Sequence, residues 1–190
     1  MSRACSLADL LGCLQRDEPV LLPTDTVPAL AIRPSAAERI WALKERPAHK
    51  PLILMGASLA QLQEVLAIDW PTDWHQEAEA VWPGAVTSVF PLTGPLQRLL
   101  NPGGGSLGLR VPACGMAQEL LRQAGPLATT SVNRSGEPPA LTALEASQGF
   151  PDLALLGPLP WPAASGLPSE VRGWTPTGWQ VLRSRETRLG

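Results

Sequence analysis

The sequence predicts an α/β fold with a mixed sheet in a single domain, residues 1–190. Segments with helical spacing of apolar residues alternate along the chain with short apolar runs that have the length of strands. Several neighbouring strand segments are joined by links too short for a helical crossover, so some strand pairs must be antiparallel. A hydrophobic content of 44% with 17% charged residues is typical of a globular domain.

The N-terminal part of the chain predicts one helix, two strands, a second helix and a third strand. Leucines at helical spacing follow Ser6, a residue type favoured as an N-cap. Apolar runs predict strands over 20–22, 29–32 and 51–55. Between the last two strands, Ser35 and Glu38 have the spacing of a capping box that opens a helix, and Pro47 ends that helix.

The remaining elements follow from the same criteria. Further helices are predicted over 58–67, 73–81 and 115–124, with another that opens at a capping box between Thr142 and Glu145. Further strands are predicted over 86–90, 107–111, 127–130, 171–174 and 179–183. The proline-rich residues 158–168 are expected to form a surface loop and not a domain linker.

Composition excludes several classes of protein. A net charge of −2 gives no overall attraction for nucleic acid, so any basic surface must be local. Three cysteines form no metal-ligand pattern, and their odd number favours a reducing compartment. No basic segment followed by a long apolar run opens the chain, and no stretch approaches 18 apolar residues. We therefore expect a soluble cytoplasmic protein that does not enter a membrane.

The positive charge of the chain is distributed unevenly. Thirteen of the fifteen basic residues are arginines, and the two lysines, Lys44 and Lys50, lie with Arg46 and His49 around Pro47. A helix end favours one cation through its dipole but does not account for four such groups. The pattern predicts a site for a polyanion such as a nucleoside triphosphate. Neither a Gly-x-Gly-x-x-Gly motif after a strand nor a phosphate loop is present, and two histidines argue against a zinc site or a Ser-His-Asp triad.

Three further segments carry polar residues at the ends of predicted strands. The segment 23–26, Pro-Thr-Asp-Thr, suits a small polar substrate or a simple turn. The segment 129–136 offers hydroxyls, an amide and a glycine to a phosphate or an adenine edge, or forms a polar turn. Arg110 lies within an apolar strand and needs an anionic partner, either a structural carboxylate or a substrate carboxylate. Residues 82–87 are interpreted as a structural corner.

These segments together resemble a known family. The motifs are Pro23-Thr24-Asp25-Thr26-Val27, Lys44-x-Arg46-Pro47, Trp82-Pro83-Gly84-x-Val86-Thr87, Arg110-Val111-Pro112 and Ser131-x-Asn133-x-Ser135-Gly136. Their order and spacing, from about residue 7 to about residue 185, resemble the YrdC family of threonylcarbamoyl-AMP synthases, in its short single-domain bacterial branch. The paired Lys-x-Arg and Ser-x-Asn motifs are the most specific part of the resemblance.

The resemblance implies a twisted mixed α/β sheet with flanking helices around a large, positively lined concave cavity. It implies a nucleotidyltransferase that uses L-threonine, bicarbonate and ATP with Mg²⁺ to form threonylcarbamoyl-AMP and pyrophosphate. A tRNA-modifying threonylcarbamoyl transferase complex would then pass the group to an adenosine beside the anticodon.

The resemblance also implies roles for residues of this chain. Lys44 and Arg46 would be catalytic. ATP would contact Lys44, Arg46, Lys50, Asn133 and Arg183. Threonine would contact Thr26, Ser131, Ser169 and Arg110. The chain departs from the family at Pro28-Ala29, where most members have an aromatic residue followed by Gly.

Two other functions are considered. A non-catalytic RNA-binding protein of the same fold would use a positively lined concavity for an RNA backbone, although the acidic net charge and the tight clustering of basic residues disfavour it. A carbamoyl-transfer enzyme of hydrogenase maturation contains a related domain, but within much longer chains that carry metal-binding segments.

Overall fold

The computed structural model of the protein describes residues 4–45, 47 and 50–185. Within these ranges the strands are β1 (Ala4–Cys5), β2 (Val20–Leu22), β3 (Ala29–Ile32), β4 (Ile53–Met55), β5 (Val86–Phe90), β6 (Leu107–Arg110), β7 (Leu127–Ser131), β8 (Ala154–Leu156), β9 (Glu170–Thr175) and β10 (Gly178–Arg183). The helices are α1 (Leu7–Gln15), α2 (Glu38–Leu43), α3 (Leu59–Leu66), α4 (Thr72–Val81), α5 (Pro95–Leu100), α6 (Gly115–Ala124) and α7 (Ala143–Gly149).

The strands of the described residues form a single mixed sheet in the order β1-β8-β2-β3-β7-β4-β6-β5-β9-β10. The pairs β1–β8, β2–β8, β4–β6 and β5–β9 are parallel, and the remaining pairs are antiparallel. The predicted mixed α/β sheet is therefore confirmed. No helix within the described ranges is long and apolar enough to cross a membrane.

Both faces of the sheet are covered by helices. On β2, Leu21 belongs to one buried cluster, whereas its neighbours Val20 and Leu22 belong to another on the opposite face. This is the two-residue alternation of a strand. Helices α2 to α5 contribute to the first cluster, and helices α1 and α6 contribute to the second. The central strands are thus held rigidly between two apolar layers, and the polar segments that follow them form the site.

The predicted start of the second helix is wrong. Residues Pro34–Ala36 form a 3₁₀ turn, and α2 begins after Ala37, which makes no side-chain cap. Pro34 supplies the backbone angle that favours a helical turn at its own position, so the turn begins before the proposed cap Ser35. The predicted caps at Ser6 and Thr142 are confirmed, since each hydroxyl accepts from the backbone N–H three residues later. Strands β1 and β8 and helix α5 were not predicted.

Candidate active site

A cavity of about 500 Å³ opens between the polar segments that follow the central strands. Eight of the nine predicted site residues lie in its wall: Thr26, Lys44, Lys50, Arg110, Ser131, Asn133, Ser169 and Arg183. The ninth, Arg46, lies outside the described residues, as does His49. Segments far apart in the sequence therefore converge on one site.

Lys44 occupies one end of the cavity. It is the C-cap residue of α2, and its side chain crosses to the segment after β7 with only 1% of the residue exposed. The ammonium group donates hydrogen bonds to the backbone oxygen of Ser131 and, at 3.0 Å, to Oδ1 of Asn133. These two acceptors are neutral oxygens, and they hold the ammonium group at the cavity wall.

Asn133 forms several hydrogen bonds within the turn after β7. Its Oδ1 also accepts a hydrogen bond of 2.6 Å from the Ser131 hydroxyl. Its Nδ2 donates to the backbone oxygens of Arg134 and Glu137, each at 2.8 Å. The Asn133 amide thus fixes the shape of the turn and also binds the Lys44 ammonium group and the Ser131 hydroxyl.

The same turn is attached to the end of α2 by hydrogen bonds to two backbone oxygens of that helix end. The N–H of Ser135 donates to the backbone oxygen of Lys44 at 3.3 Å. Arg134 donates to the backbone oxygen of Leu43 at 2.6 Å, and its guanidinium lies 5.0 Å from the ring centre of Phe150. Such contacts satisfy carbonyls that a helix end leaves unpaired. They keep Lys44 and Asn133 in register with each other.

Arg110 occupies the opposite end of the cavity, at the end of β6. The residue is 3% exposed, and its Nη2 donates to Oδ1 of Asp25 at 2.8 Å. Its Nη1 donates to the hydroxyl of Thr26 at 2.8 Å, and its Nε donates to the backbone oxygen of Gly84 at 3.1 Å. Burial lowers the pKa of Arg110, and the adjacent Asp25 carboxylate opposes that shift. Of the two anionic partners left open by the sequence, the structure supplies the structural carboxylate.

The hydrogen bonds around Thr26 fix the direction in which its hydroxyl points. Thr24 donates its hydroxyl proton to the backbone oxygen of Val27 at 2.7 Å. In the 2.9 Å contact between the two hydroxyls, Thr26 must therefore be the donor. Since Thr26 also accepts from Arg110, its remaining capacity is one lone pair. The hydroxyl suits an N–H or O–H donor of a bound ligand.

A third part of the wall joins β5 to the C-terminal strands. The hydroxyls of Thr87 and Ser169 are 2.9 Å apart, and Arg183 donates to the backbone oxygen of Ser169 at 2.8 Å. Burial lowers the pKa of Arg183, whose Nε has no hydrogen-bond partner within the described residues. Thr87 was assigned to a structural corner by the sequence, yet it lines the cavity.

The loop over 158–168 packs against the segment that contains Thr26 and contributes Pro168 to the cavity wall. Its Ser165 and Gly166 donate backbone hydrogen bonds of 3.1 and 3.0 Å to the backbone oxygens of Asp25 and Thr26. Pro168 lines the cavity beside Ser169. The predicted surface loop is therefore part of the site.

The described wall has an excess of positive charge. It contains four basic residues, Lys44, Lys50, Arg110 and Arg183, and Glu137 is the only acidic residue among the described residues that line it. Lys50 is exposed, and its backbone oxygen accepts a 2.9 Å hydrogen bond from the Trp41 indole. The arrangement can bind an anion at the lysine end and a small polar group near Thr26.

Comparison with known proteins decides the family. The family model for Sua5, YciO and YrdC, which is described as "Telomere recombination", matches residues 12–184. The chain belongs to this Sua5/YciO/YrdC family. A relative from Yersinia enterocolitica named threonylcarbamoyl-AMP synthase is 38% identical over 145 residues, which cover 74% of this chain and 76% of the relative.

Solved structures of the family agree with the fold. A doubly substituted Sua5 from Pyrococcus abyssi matches with a TM-score of 0.87 and 28% identity over 96% of this chain. P. abyssi Sua5 complexed with L-threonine matches with a TM-score of 0.84 and 30% identity over 93% of this chain. The matched regions cover 60% and 53% of those two chains, so this chain spans little more than half of their length.

Proposed function

We propose that this protein is a threonylcarbamoyl-AMP synthase. In the proposed reaction L-threonine and bicarbonate form a carbamate, ATP adenylates it, and pyrophosphate leaves. Relatives named threonylcarbamoyl-AMP synthase at 34–38% identity support the activity, and a Sua5 complexed with L-threonine supports the amino acid. The observation that carries the proposal is one cavity whose wall combines a buried lysine, held by the Ser131 and Asn133 oxygens, with several hydroxyl groups.

The lysine end is the proposed ATP site. Adenylation develops negative charge on the α-phosphate and on the departing pyrophosphate, and a fixed cation stabilises that charge without reorganising. Lys44 meets this need because its buried ammonium group is held in the cavity wall by the Ser131 and Asn133 oxygens. Arg46, Lys50, Asn133 and Arg183 are proposed to contact ATP as well, with arginines able to bind phosphate oxygens in a bidentate manner.

The hydroxyl end is the proposed threonine site. Thr26 offers one lone pair, which suits the amine or the hydroxyl of threonine. Ser131 gives its proton to Asn133 and therefore also faces a ligand as an acceptor. Ser169 and Arg110 complete this part of the proposed site, where Arg110 orients Thr26. Holding the carbamate beside the α-phosphate lowers the entropic part of the barrier.

Mg²⁺ is proposed to arrive with ATP as part of the substrate. Mg²⁺ prefers oxygen ligands and keeps several waters, so the phosphates and water can supply most of its coordination. Among the described residues of the wall, Glu137 is the carboxylate that could contribute an oxygen. The proposed reaction therefore does not require a Mg²⁺ site made only of protein ligands.

The product would be handed to a tRNA-modifying threonylcarbamoyl transferase complex in the cytoplasm. An RNA-binding protein without synthase activity is the competing function. The four basic residues of the wall lie in one concave cavity rather than along an extended surface track, which favours a compact polyanion over an RNA backbone.

The test is pyrophosphate release by the purified protein. We expect release from Mg²⁺-ATP that requires both L-threonine and bicarbonate, with either one omitted as the control. A folded protein that releases no pyrophosphate with any amino acid, and that binds RNA with a steep salt dependence, would contradict the proposal.

A further inference from the structure

We infer that Asn101 is a further ligand-binding residue of the cavity, and that its side-chain oxygen accepts a hydrogen bond from the nucleoside part of ATP. The inference rests on the proposed function and adds a loop to its ATP site. This loop, residues 101–106, follows α5 and has the sequence Asn-Pro-Gly-Gly-Gly-Ser. Its first and last residues, Asn101 and Ser106, both line the cavity.

A buried glutamine holds the loop in place. Gln97, in α5, is 5% exposed. Its Nε2 donates to the backbone oxygens of Asn101 at 2.8 Å and Gly104 at 2.6 Å. The N–H of Asn101 donates in turn to the backbone oxygen of Gln97 at 2.8 Å. Because both acceptors of Nε2 are carbonyl oxygens, the amide must keep its nitrogen toward the loop. The loop is therefore fixed to the helix by a side chain that solvent hardly reaches.

Two glycines let the Asn101 side chain lie against the loop. Gly103 has a φ of 82°, which residues with a side chain rarely adopt. A Cβ on Gly104 would collide with the amide nitrogen of Asn101. The Asn101 amide thus lies directly over Gly104, and any larger residue at that position would displace it from its place in the wall.

The orientation of the Asn101 amide is also fixed. Its Nδ2 donates to the backbone oxygen of Ser106 at 2.9 Å. Since a carbonyl oxygen can only accept, the nitrogen must face Ser106 and Oδ1 must face elsewhere. No donor among the described residues contacts this oxygen, and Asn101 is half-buried in the cavity wall. A half-buried amide oxygen held in this way suits an N–H or O–H donor of a bound ligand.

The chemistry of the proposed substrates narrows the choice of donor. Ionised phosphates and carboxylates offer only acceptors, so they have no hydrogen to give to Oδ1 of Asn101. The donors are the adenine amino group and the ribose hydroxyls of ATP, and the amine and hydroxyl of threonine. The remaining question is whether Asn101 lies on the nucleotide side or on the threonine side of the cavity.

The position of the loop favours the nucleotide. The backbone oxygen of Leu100 accepts a 2.8 Å hydrogen bond from the N–H of Leu52, which places the loop beside the segment of Lys50. Lys50 is proposed to contact ATP. The loop precedes β6, whereas Arg110, which donates to the Thr26 hydroxyl, ends that strand. The loop and the proposed threonine site therefore lie at opposite ends of β6, and the nucleoside is the source of the donor.

Nucleotide analogues test this contact. We would measure Kd by calorimetry for ATP and for the triphosphates of 2′-deoxyadenosine, 3′-deoxyadenosine and purine riboside, each of which lacks one donor. We expect Asn101→Ala to raise Kd for ATP about fivefold, in keeping with the loss of one neutral hydrogen bond. For the analogue that lacks the contacted donor, the same variant should change Kd by less than about twofold. That analogue distinguishes the adenine amino group from a ribose hydroxyl.

An unchanged Kd for ATP in Asn101→Ala would overturn the inference. Equal losses for ATP and for all three analogues would overturn it as well, because they would mean that the substitution disturbs the loop without removing a contact. Wild-type protein that binds ATP but releases no pyrophosphate would refute the proposed function alone, since the comparison of Kd values needs no turnover. Wild-type protein that does not bind ATP would overturn both.

The positioning role of Gln97 has its own test. Gln97→Glu replaces the donating nitrogen with an oxygen that would face two carbonyl oxygens. We expect Kd for ATP to rise roughly threefold, with the same dependence on the analogue as in Asn101→Ala. Gly104→Ala, which displaces the Asn101 amide directly, should behave in the same way. Binding of ATP by both variants as in the wild type would contradict the role of the loop.

The control is a second well-bonded glutamine outside the cavity. Gln61 accepts from the Ala57 N–H and donates to the Leu121 oxygen, both at 2.8 Å. We expect Gln61→Ala to lower thermal stability and to leave all four Kd values unchanged. A rise in Kd for ATP equal to that in Gln97→Glu would show that general destabilisation explains both results, and would overturn the positioning role of Gln97.

Discussion

The two ends of the cavity hold their buried cations in different ways. Lys44 and Arg110 are 1% and 3% exposed, so both have lost nearly all contact with solvent. The identified acceptors of Lys44 are a backbone oxygen and an amide oxygen, whereas Arg110 is paired with the carboxylate of Asp25 at 2.8 Å. The Asp25 carboxylate therefore neutralises the positive charge of Arg110, whereas the two oxygens identified beside Lys44 carry no charge.

A carboxylate partner changes the energetic cost of a buried cation. Removing a charge from water is costly, and a carboxylate partner offsets that cost within the protein itself. Arg110 with Asp25 is complete without a ligand and orients Thr26. Lys44 donates to the Ser131 and Asn133 oxygens and lines the wall of the proposed ATP site, where an anionic ligand would offset part of the cost of its burial. The carboxylate partner thus identifies Arg110 as a structural cation, whereas Lys44 is the cation proposed to serve a ligand.

The largest expected effect comes from breaking the neutralised end. Asp25→Asn leaves the Arg110 guanidinium buried without an anion, and removal of one partner from a buried pair costs about 3–5 kcal/mol. We expect that loss in the free energy of unfolding, measured by urea denaturation. The matched control is Glu119→Gln, which breaks the exposed pair between Glu119 and Arg122 and should cost less than about 1 kcal/mol.

Equal stability losses in Asp25→Asn and Glu119→Gln would contradict the structural role of the Arg110–Asp25 pair. That result would mean that water reaches Arg110 and shields it. A loss of activity in Asp25→Asn with an unchanged free energy of unfolding would mean that Asp25 binds a ligand and does not stabilise the fold.

The next effect comes from removing the positive charge of Lys44. Lys44→Met keeps the length and the apolar stem of the side chain but removes the ammonium group. We expect kcat for pyrophosphate release to fall by roughly a hundredfold, because a fixed cation in a dry site is worth that much to developing phosphate charge. The free energy of unfolding should stay within about 1 kcal/mol of the wild type, since a buried charge is replaced by an apolar group.

The opposite pattern would contradict the comparison. A Lys44→Met variant that is much less stable but retains its turnover would make Lys44 a structural cation like Arg110. Lys44→Arg provides a second measurement, because it keeps the charge but changes its geometry at a site shaped for an ammonium group.

The sequence predicted much of this site, because the motifs hold their own local geometry. The residues around Lys44 and the turn with Ser131 and Asn133 were recognised from type and spacing. The partner of Arg110 was left open, because Asp25 is far from it in sequence and only the fold brings them together. Thr87 was missed because a hydroxyl in the middle of a strand has no local pattern that marks it as facing a cavity.

The elements of the fold were likewise predicted in large part from the sequence. Most helices and strands were found, including the three-residue strand β2, whereas strands β1 and β8 and helix α5 were missed. Strand β1 has two residues and is ordered by its parallel partner β8, which has three. Neither run is long enough to show alternation on its own. Their existence depends on tertiary pairing that a single sequence does not reveal.

A smaller effect is expected from the hydroxyl pair on the C-terminal side. Ser169→Ala removes one hydroxyl of the Thr87–Ser169 pair and a contact of 3.4 Å with Arg183. We expect the KM for L-threonine to rise roughly fivefold with little change in kcat, in keeping with the loss of one neutral hydrogen bond. Thr177→Ala is the control, because it removes an exposed hydroxyl pair in the hairpin turn. Similar kinetics for both variants would remove Ser169 from the proposed threonine site.

The smallest effect comes from the other lysine. Lys50 lines the same cavity as Lys44 but is exposed, so its charge is screened by salt and its side chain is free to move. We expect Lys50→Gln to raise the KM for ATP about threefold at low ionic strength and to have almost no effect at high salt. Arg98→Gln is the matched control, since it removes an exposed cation outside the cavity. A loss of activity in Lys50→Gln that is independent of salt and as large as that of Lys44→Met would contradict this prediction. It would show that bound ATP shields Lys50 from solvent, and that the difference in exposure in the free protein does not distinguish the roles of the two lysines.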